Sequence, residues 1–137
     1  MSDELFVDTN ILLYAHDQDA GLKQQRAREL MRGLWAAERR PALSVQVLQE
    51  FYVNLIRKQV APAVAREVMQ SYLHWQVLDN TPQLTLEGSR LAERWQLSFW
   101  DGLIIAAAQA AGARLLWSED FQDGQRFGGV TVKNPLR

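Results

Sequence analysis

Short apolar runs that stop abruptly at turn-forming carboxylates, alternating with longer amphipathic patterns, constrain this chain more than any other feature. Leu5-Phe6-Val7 ends in Asp8-Thr9-Asn10, and Leu115-Leu116-Trp117 ends in Ser118-Glu119-Asp120. Each run has the length and apolarity of a buried strand, followed by residues suited to turns and caps. Ala42-Leu43, Val77-Leu78 and Val130-Thr131-Val132 read as three further strands. Between them, Leu22, Ala27, Leu30, Met31, Leu34 and Trp35 recur at helical spacing in a pattern from Leu22 to Arg40, closed by Pro41. Ser44 is an N-cap for a helix through about Gln59, Pro62 opens one to about Trp75, and Thr81-Pro82 opens another towards Trp95, weakened at Gly88. The last helix runs from Trp100 or Asp101 to Ala111, with Gly112 in the C′ position.

Strands alternating with amphipathic helices imply an α/β fold with a mostly parallel sheet covered by helices. The 137 residues suit a single domain, with no linker, repeat or low-complexity segment. Cysteine is absent, which removes disulfides, thiolate metal sites and cysteine nucleophiles. With only His16 and His74, an imidazole-based zinc site is also disfavoured, so a bound metal would be a hard cation held by oxygen. The opening Met-Ser-Asp-Glu-Leu lacks a signal-peptide pattern, and the most apolar run, Leu103 to Ala108, is far too short to span a bilayer. The expectation is a soluble, cytoplasmic protein without a membrane partner. A net charge of −1 gives no global nucleic-acid signature, although an acidic metal centre would mask a basic surface.

Ligand sites in parallel sheets lie beyond the carboxyl ends of the strands, which singles out Asp8 and Asp120. Asp101 precedes the apolar Leu103-Ile104-Ile105 helix, and Glu50 flanks the Val47/Phe51 stripe of its own. Taken singly, Asp8 reads as a cap, Asp101 as a first-turn acid, Glu50 as a solvated helical residue and Asp120 as part of a loop. Together they describe acids that would repel one another unless a cation joined them. Asp123 stands near enough in sequence to assist. Oxygen-only ligation suits Mg²⁺ or Mn²⁺, and the chemistry that uses it is attack of water on a phosphodiester.

Phe6-Val7-Asp8-Thr9-Asn10-Ile11-Leu12-Leu13-Tyr14-Ala15 resembles the opening motif of PIN-domain proteins, particularly VapC-type toxins. Gln46-Val47-Leu48-Gln49-Glu50-Phe51, the segment from Phe99 to Ala108, Leu116-Trp117-Ser118-Glu119-Asp120-Phe121 and the closing Val132-Lys133-Asn134-Pro135-Leu136 follow in the family's order. The resemblance covers essentially the whole chain. It implies a three-layer α/β/α fold with a five-stranded, mostly parallel sheet, and a divalent-metal-dependent endoribonuclease. It places Asp8, Glu50, Asp101 and Asp120 as the catalytic, Mg²⁺- or Mn²⁺-binding acids, with Asn10 and Ser118 as supporting polar residues. A homodimer, an RNA substrate and an inhibitory cognate antitoxin are the partners implied. An aspartyl-phosphate phosphatase fits poorly, because position 10 is Asn rather than a second acid. A non-catalytic PIN-like RNA- or protein-binding module and a stand-alone RNA-processing nuclease remain as alternatives. Arginines along the chain offer positive positions without naming RNA contacts, and the five tryptophans read as core or dimer packing.

Overall fold

The computed structural model describes residues 4–137; the Met1–Asp3 part of the amino-terminal reading lies outside them. In chain order the main elements are β1 (Leu5–Val7), α1 (Thr9–His16), α2 (Leu22–Ala36), β2 (Ala42–Ser44), α3 (Val45–Arg57) and α4 (Pro62–Ser71). They continue with β3 (Gln76–Leu78), α5 (Pro82–Trp95), α6 (Phe99–Ala110), β4 (Leu115–Trp117), β5 (Arg126–Phe127) and β6 (Val130–Lys133). The sheet order is β3-β2-β1-β4-β6-β5, parallel throughout except for the β5–β6 pair. The chain first winds outward from β1 to β3, then returns to the opposite side of β1 as β4. Because parallel crossovers are right-handed, this reversal puts later helices on the other face of the sheet. The α/β/α arrangement expected from the sequence is the one observed.

The sheet has a sixth strand that the apolar pattern did not signal. Arg126–Phe127 forms a two-residue hairpin arm against Val130–Lys133, turning at Gly128-Gly129, where Gly128 has φ of +61°. Two residues between glycines carry too little periodicity to read as a strand. The helix expected to reach Arg40 stops at Ala36. Ala37 turns to extended backbone (φ −70°, ψ 147°), and the Arg40 guanidinium bonds the Ala37 carbonyl at 2.6 Å. The helix opened by Pro62 ends at Ser71, and Tyr72–His74 continues as one tight turn into Trp75.

The core lies on both faces of the sheet around Phe6, Leu43, Phe51, Ile105 and Leu116. Tyr72 anchors an aromatic cluster, edge-on to Phe51 at 5.6 Å and to Trp75 at 5.0 Å. Trp75 is core as expected, but Trp100 is 60% exposed and belongs to no core.

Gly88, which weakened the sequence reading of α5, is there because the helices touch. A Cβ on Gly102 of α6 would collide with the Gly88 carbonyl oxygen, and one on Gly88 would come 2.7 Å from Leu103 Cδ2. The two glycines let α5 and α6 meet backbone to backbone, and so set the position of the turn of α6 that carries Asp101. Gly102→Ala should therefore cost roughly 1–3 kcal/mol in urea unfolding. Gly33→Ala, in an exposed helical position with nothing within 4 Å of the added methyl, should instead stabilise by about 0.4–1 kcal/mol.

Candidate metal centre

Asp8 is the first residue beyond β1, and its backbone amide extends the β1–β4 pairing by donating to the Trp117 carbonyl at 2.9 Å. That one bond sets the carboxyl ends of β1 and β4 side by side, where the strand order reverses. Asp8 caps α1, accepting from the Thr9 amide at 2.7 Å, and accepts the fully buried Ser118 hydroxyl on its other oxygen at 2.7 Å. Ser118 Oγ in turn accepts from the Asp120 amide at 3.0 Å, so a single hydroxyl ties the first acid to the loop bearing the last. The capping reading of Asp8 is thus correct, and it also places the side chain in the cluster.

Glu50 reaches the site from α3. Its oxygens accept from the Thr9 hydroxyl at 2.8 Å and from Gln46 Nε2 at 3.2 Å. The same Gln46 amide donates to the Trp100 carbonyl at 3.1 Å, joining α3 to the first turn of α6. Asp101 follows directly in that turn, where the Ser98 cap accepts its amide at 3.0 Å. The acids form a graded basin: Asp8 is only 2% exposed at its floor, Glu50 and Asp101 are half-buried, and Asp120 is open to solvent.

Electrostatics report the same proximity. Burial raises the Asp8 carboxyl to about 7, and the charges of Asp120 and Glu50 add to the effect against hydrogen bonds from Ser118 and Thr9. Burial also raises Asp101, with Asp120 and Glu50 contributing, and it raises Asp120, again with Glu50 contributing. Each of these shifts names another member of the set, so all four sequence-predicted acids share one field. Among the described residues, no lysine or arginine forms an ion pair with any of the four.

Asn10 Oδ1 accepts from the Glu119 amide at 3.3 Å, which fixes the orientation of its amide group. Its Nδ2 is buried without a hydrogen bond, near enough to Asp120 to lower that carboxyl's pKa. A buried donor beside carboxylates that form no ion pair with lysine or arginine among the described residues suits a site that receives an anion together with a cation. The donor set, oxygen only and anionic, fits Mg²⁺ or Mn²⁺. Among the described residues no three such ligands already surround one point, so the acids stand as an open basin rather than a closed cage.

Asp123 is not part of it: its carboxylate accepts the Asn134 amide at 2.7 Å and faces Arg137. His16 is also elsewhere, 3.0 Å from the Tyr72 hydroxyl. Sequence reasoning missed Thr9 and Gln46, the donors that hold Glu50. The signal for Gln46 was its i, i+4 spacing to Glu50 on one helix face. It also missed the brace outside the basin, where Glu119 accepts from Tyr14 at 2.7 Å and from Lys23 at 2.9 Å. This brace ties the Ser118–Asp120 loop to α1 and α2.

A parallel α/β/α sheet that gathers four acids at its reversal point is the arrangement the sequence resemblance implied. The PIN-domain family model matches residues 5–123, and the chain belongs to that family. No curated relative matches the sequence. Among solved structures, a toxin–antitoxin complex from Klebsiella pneumoniae superposes with a TM-score of 0.70 at 20% identity, over 97% of this chain and 98% of that one. VapC20 of Mycobacterium tuberculosis, a sarcin–ricin loop cleaving toxin, gives 0.70 at 20% identity, over 85% and 92%. VapBC2 of Rickettsia felis, bound to a promoter DNA fragment, gives 0.63 at 19%, over 94% and 96%. These likenesses establish a shared fold.

The burial of Asp8 has a measurable consequence in EDTA. An unfolded Asp ionises near 3.8 and the folded Asp8 near 7, so between these values the native state binds more protons. The stability held below pH 4 is therefore lost as pH rises to about 7, with a slope of up to about 1.4 kcal/mol per unit. Denaturation of wild type and Asp8→Asn across pH 4–8 should show a steep fall in the first and a flatter profile in the second.

Proposed function

We propose that this PIN domain is a divalent-metal-dependent endoribonuclease, the toxin of a toxin–antitoxin pair, acting in the cytoplasm as a homodimer. The observation that carries the reading is the mutual influence of Asp8, Glu50, Asp101 and Asp120 in one basin, with no ion pair to lysine or arginine among the described residues. A repelling set of acids around a buried Asp8 costs stability, and function is the usual reason to retain it. The family and the toxin–antitoxin proteins that share the fold support the same assignment.

Asp8, Asp101 and Asp120 would hold Mg²⁺ or Mn²⁺, with Glu50 as a further ligand or as the acceptor for a bound water. Bound there, the ion supplies charge neutralisation at the phosphate and lowers the pKa of the attacking water. The protein's own part is orientation. Thr9 and Ser118 hold the Asp8 oxygens, while Thr9 and Gln46 hold those of Glu50. Asn10 Nδ2, buried beside Asp120, is the donor offered to a phosphate oxygen. Water attacks phosphorus in line and the bond to the 3′-oxygen breaks, leaving a 5′-phosphate and a 3′-hydroxyl. His16 takes no part, since it is turned towards Tyr72.

Purified protein incubated with total cellular RNA should cut it in Mg²⁺ or Mn²⁺, and not in EDTA. Asp8→Asn, folded by circular dichroism, should lose at least about a hundredfold in rate. Undiminished cleavage by the folded variant would refute the site, and no wild-type cleavage with either metal would refute the activity.

A further inference from the structure

The acid basin does not end at its carboxylates. An open groove of about 480 Å³ runs from Asn10, Glu50 and Asp120 along α3, past Asn54, to Arg57. Arg57 follows Glu50 by seven residues on the same helix, which at ~100° and ~1.5 Å per residue returns it to nearly the same face about 10 Å further along. Asn54 lies between them and is tied to the helix, its Nδ2 donating to the Glu50 carbonyl at 2.8 Å. The next residue, Lys58, is engaged elsewhere, paired with Asp17 at 3.0 Å. Arg57 is exposed, and among the described residues it makes no hydrogen bond or ion pair.

A groove with anions at one end and an uncommitted guanidinium at the other suits a ligand that carries a metal-bridged phosphate and a second negative charge a short distance away. A nucleic-acid strand has that pattern built in, and a guanidinium meets phosphate with two parallel hydrogen bonds. We infer that Arg57 is a substrate-binding residue, holding a backbone phosphate of single-stranded RNA close to the scissile bond and so directing the strand along α3. The inference rests on the ribonuclease reading and adds to it the path of the substrate. As a last-turn cation, Arg57 also complements the α3 dipole, but that role acts on helix stability and not on RNA.

The test separates these roles. Binding of a labelled mixed-sequence oligoribonucleotide is followed by anisotropy in Mg²⁺ across a salt series, using the cleavage-dead Asp8→Asn protein with and without Arg57→Ala or Arg57→Lys. The expected result is weaker binding for Arg57→Ala at every sequence, with the slope of log K against log salt reduced by about one. Arg57→Lys should keep the slope and recover part of the affinity. In the otherwise wild-type chain, Arg57→Ala should raise KM for RNA more than it lowers kcat. Unchanged affinity and slope in Arg57→Ala overturn the inference, as does an Arg57→Ala change that leaves KM for RNA unaltered in the otherwise wild-type chain. An Arg57→Ala variant that loses only inhibition by a protein partner, with RNA binding intact, overturns it too. If wild type binds RNA through Arg57 yet cuts nothing, the path stands and the nuclease reading falls. If it cuts RNA with no dependence on Arg57, the reverse holds.

Discussion

The parallel pairing of β1 with β4 is the contact on which the rest of this structure depends. It is made where the chain reverses its winding, so it joins the first strand to one more than a hundred residues later. The last rung, from the Asp8 amide to the Trp117 carbonyl, leaves Asp8 and Ser118 adjacent at the sheet's carboxyl edge. From there the order is set by hydrogen bonds that each serve two purposes. Ser118 serves Asp8 and Asp120, Thr9 serves Asp8 and Glu50, and Gln46 serves Glu50 and the α6 backbone. Three polar residues thereby hold Asp8, Glu50 and Asp120, and Gln46 links them to the turn of α6 that carries Asp101. Such sharing makes the constellation cooperative: loss of one donor disturbs two partners.

Much of this was legible in the sequence because strand ends and acids coincide there. Leu5-Phe6-Val7-Asp8 and Leu115-Leu116-Trp117-Ser118 announce strands that deliver polar residues to one edge, and the motif order supplied the rest. What could not be read was relational. Gly88 looked like a flaw in α5 because its reason lies in α6, at Gly102. Arg126–Phe127 looked like loop because its strand character comes from pairing with Val130–Lys133 and not from its own pattern. Asp123 looked like a member of the acid set because proximity in sequence was the only measure at hand, and the chain turns it towards Asn134 instead. The tryptophans show the same limit, since Trp75 is buried and Trp100 exposed although both sit in apolar stretches.

The basin is built against its own stability. A carboxyl at the floor with its pKa raised to about 7 is a group the fold would hold more easily uncharged. The neighbouring elements bear that strain because they are otherwise well packed: Phe6, Val7 and Ile11 are buried without exposure, and the α5–α6 contact is close enough to exclude any side chain at Gly102. Close packing around the basin limits how far the acids can move apart.

The borders of the sheet carry a consequence of a different kind. At one border stands β5, two residues long, and at the other β3, three residues with an exposed Gln76. Each presents only a short row of free backbone groups, a common safeguard against edge-to-edge aggregation. Strand addition could therefore extend this sheet only by a short ladder, so side-chain contacts carry more of the recognition at its borders.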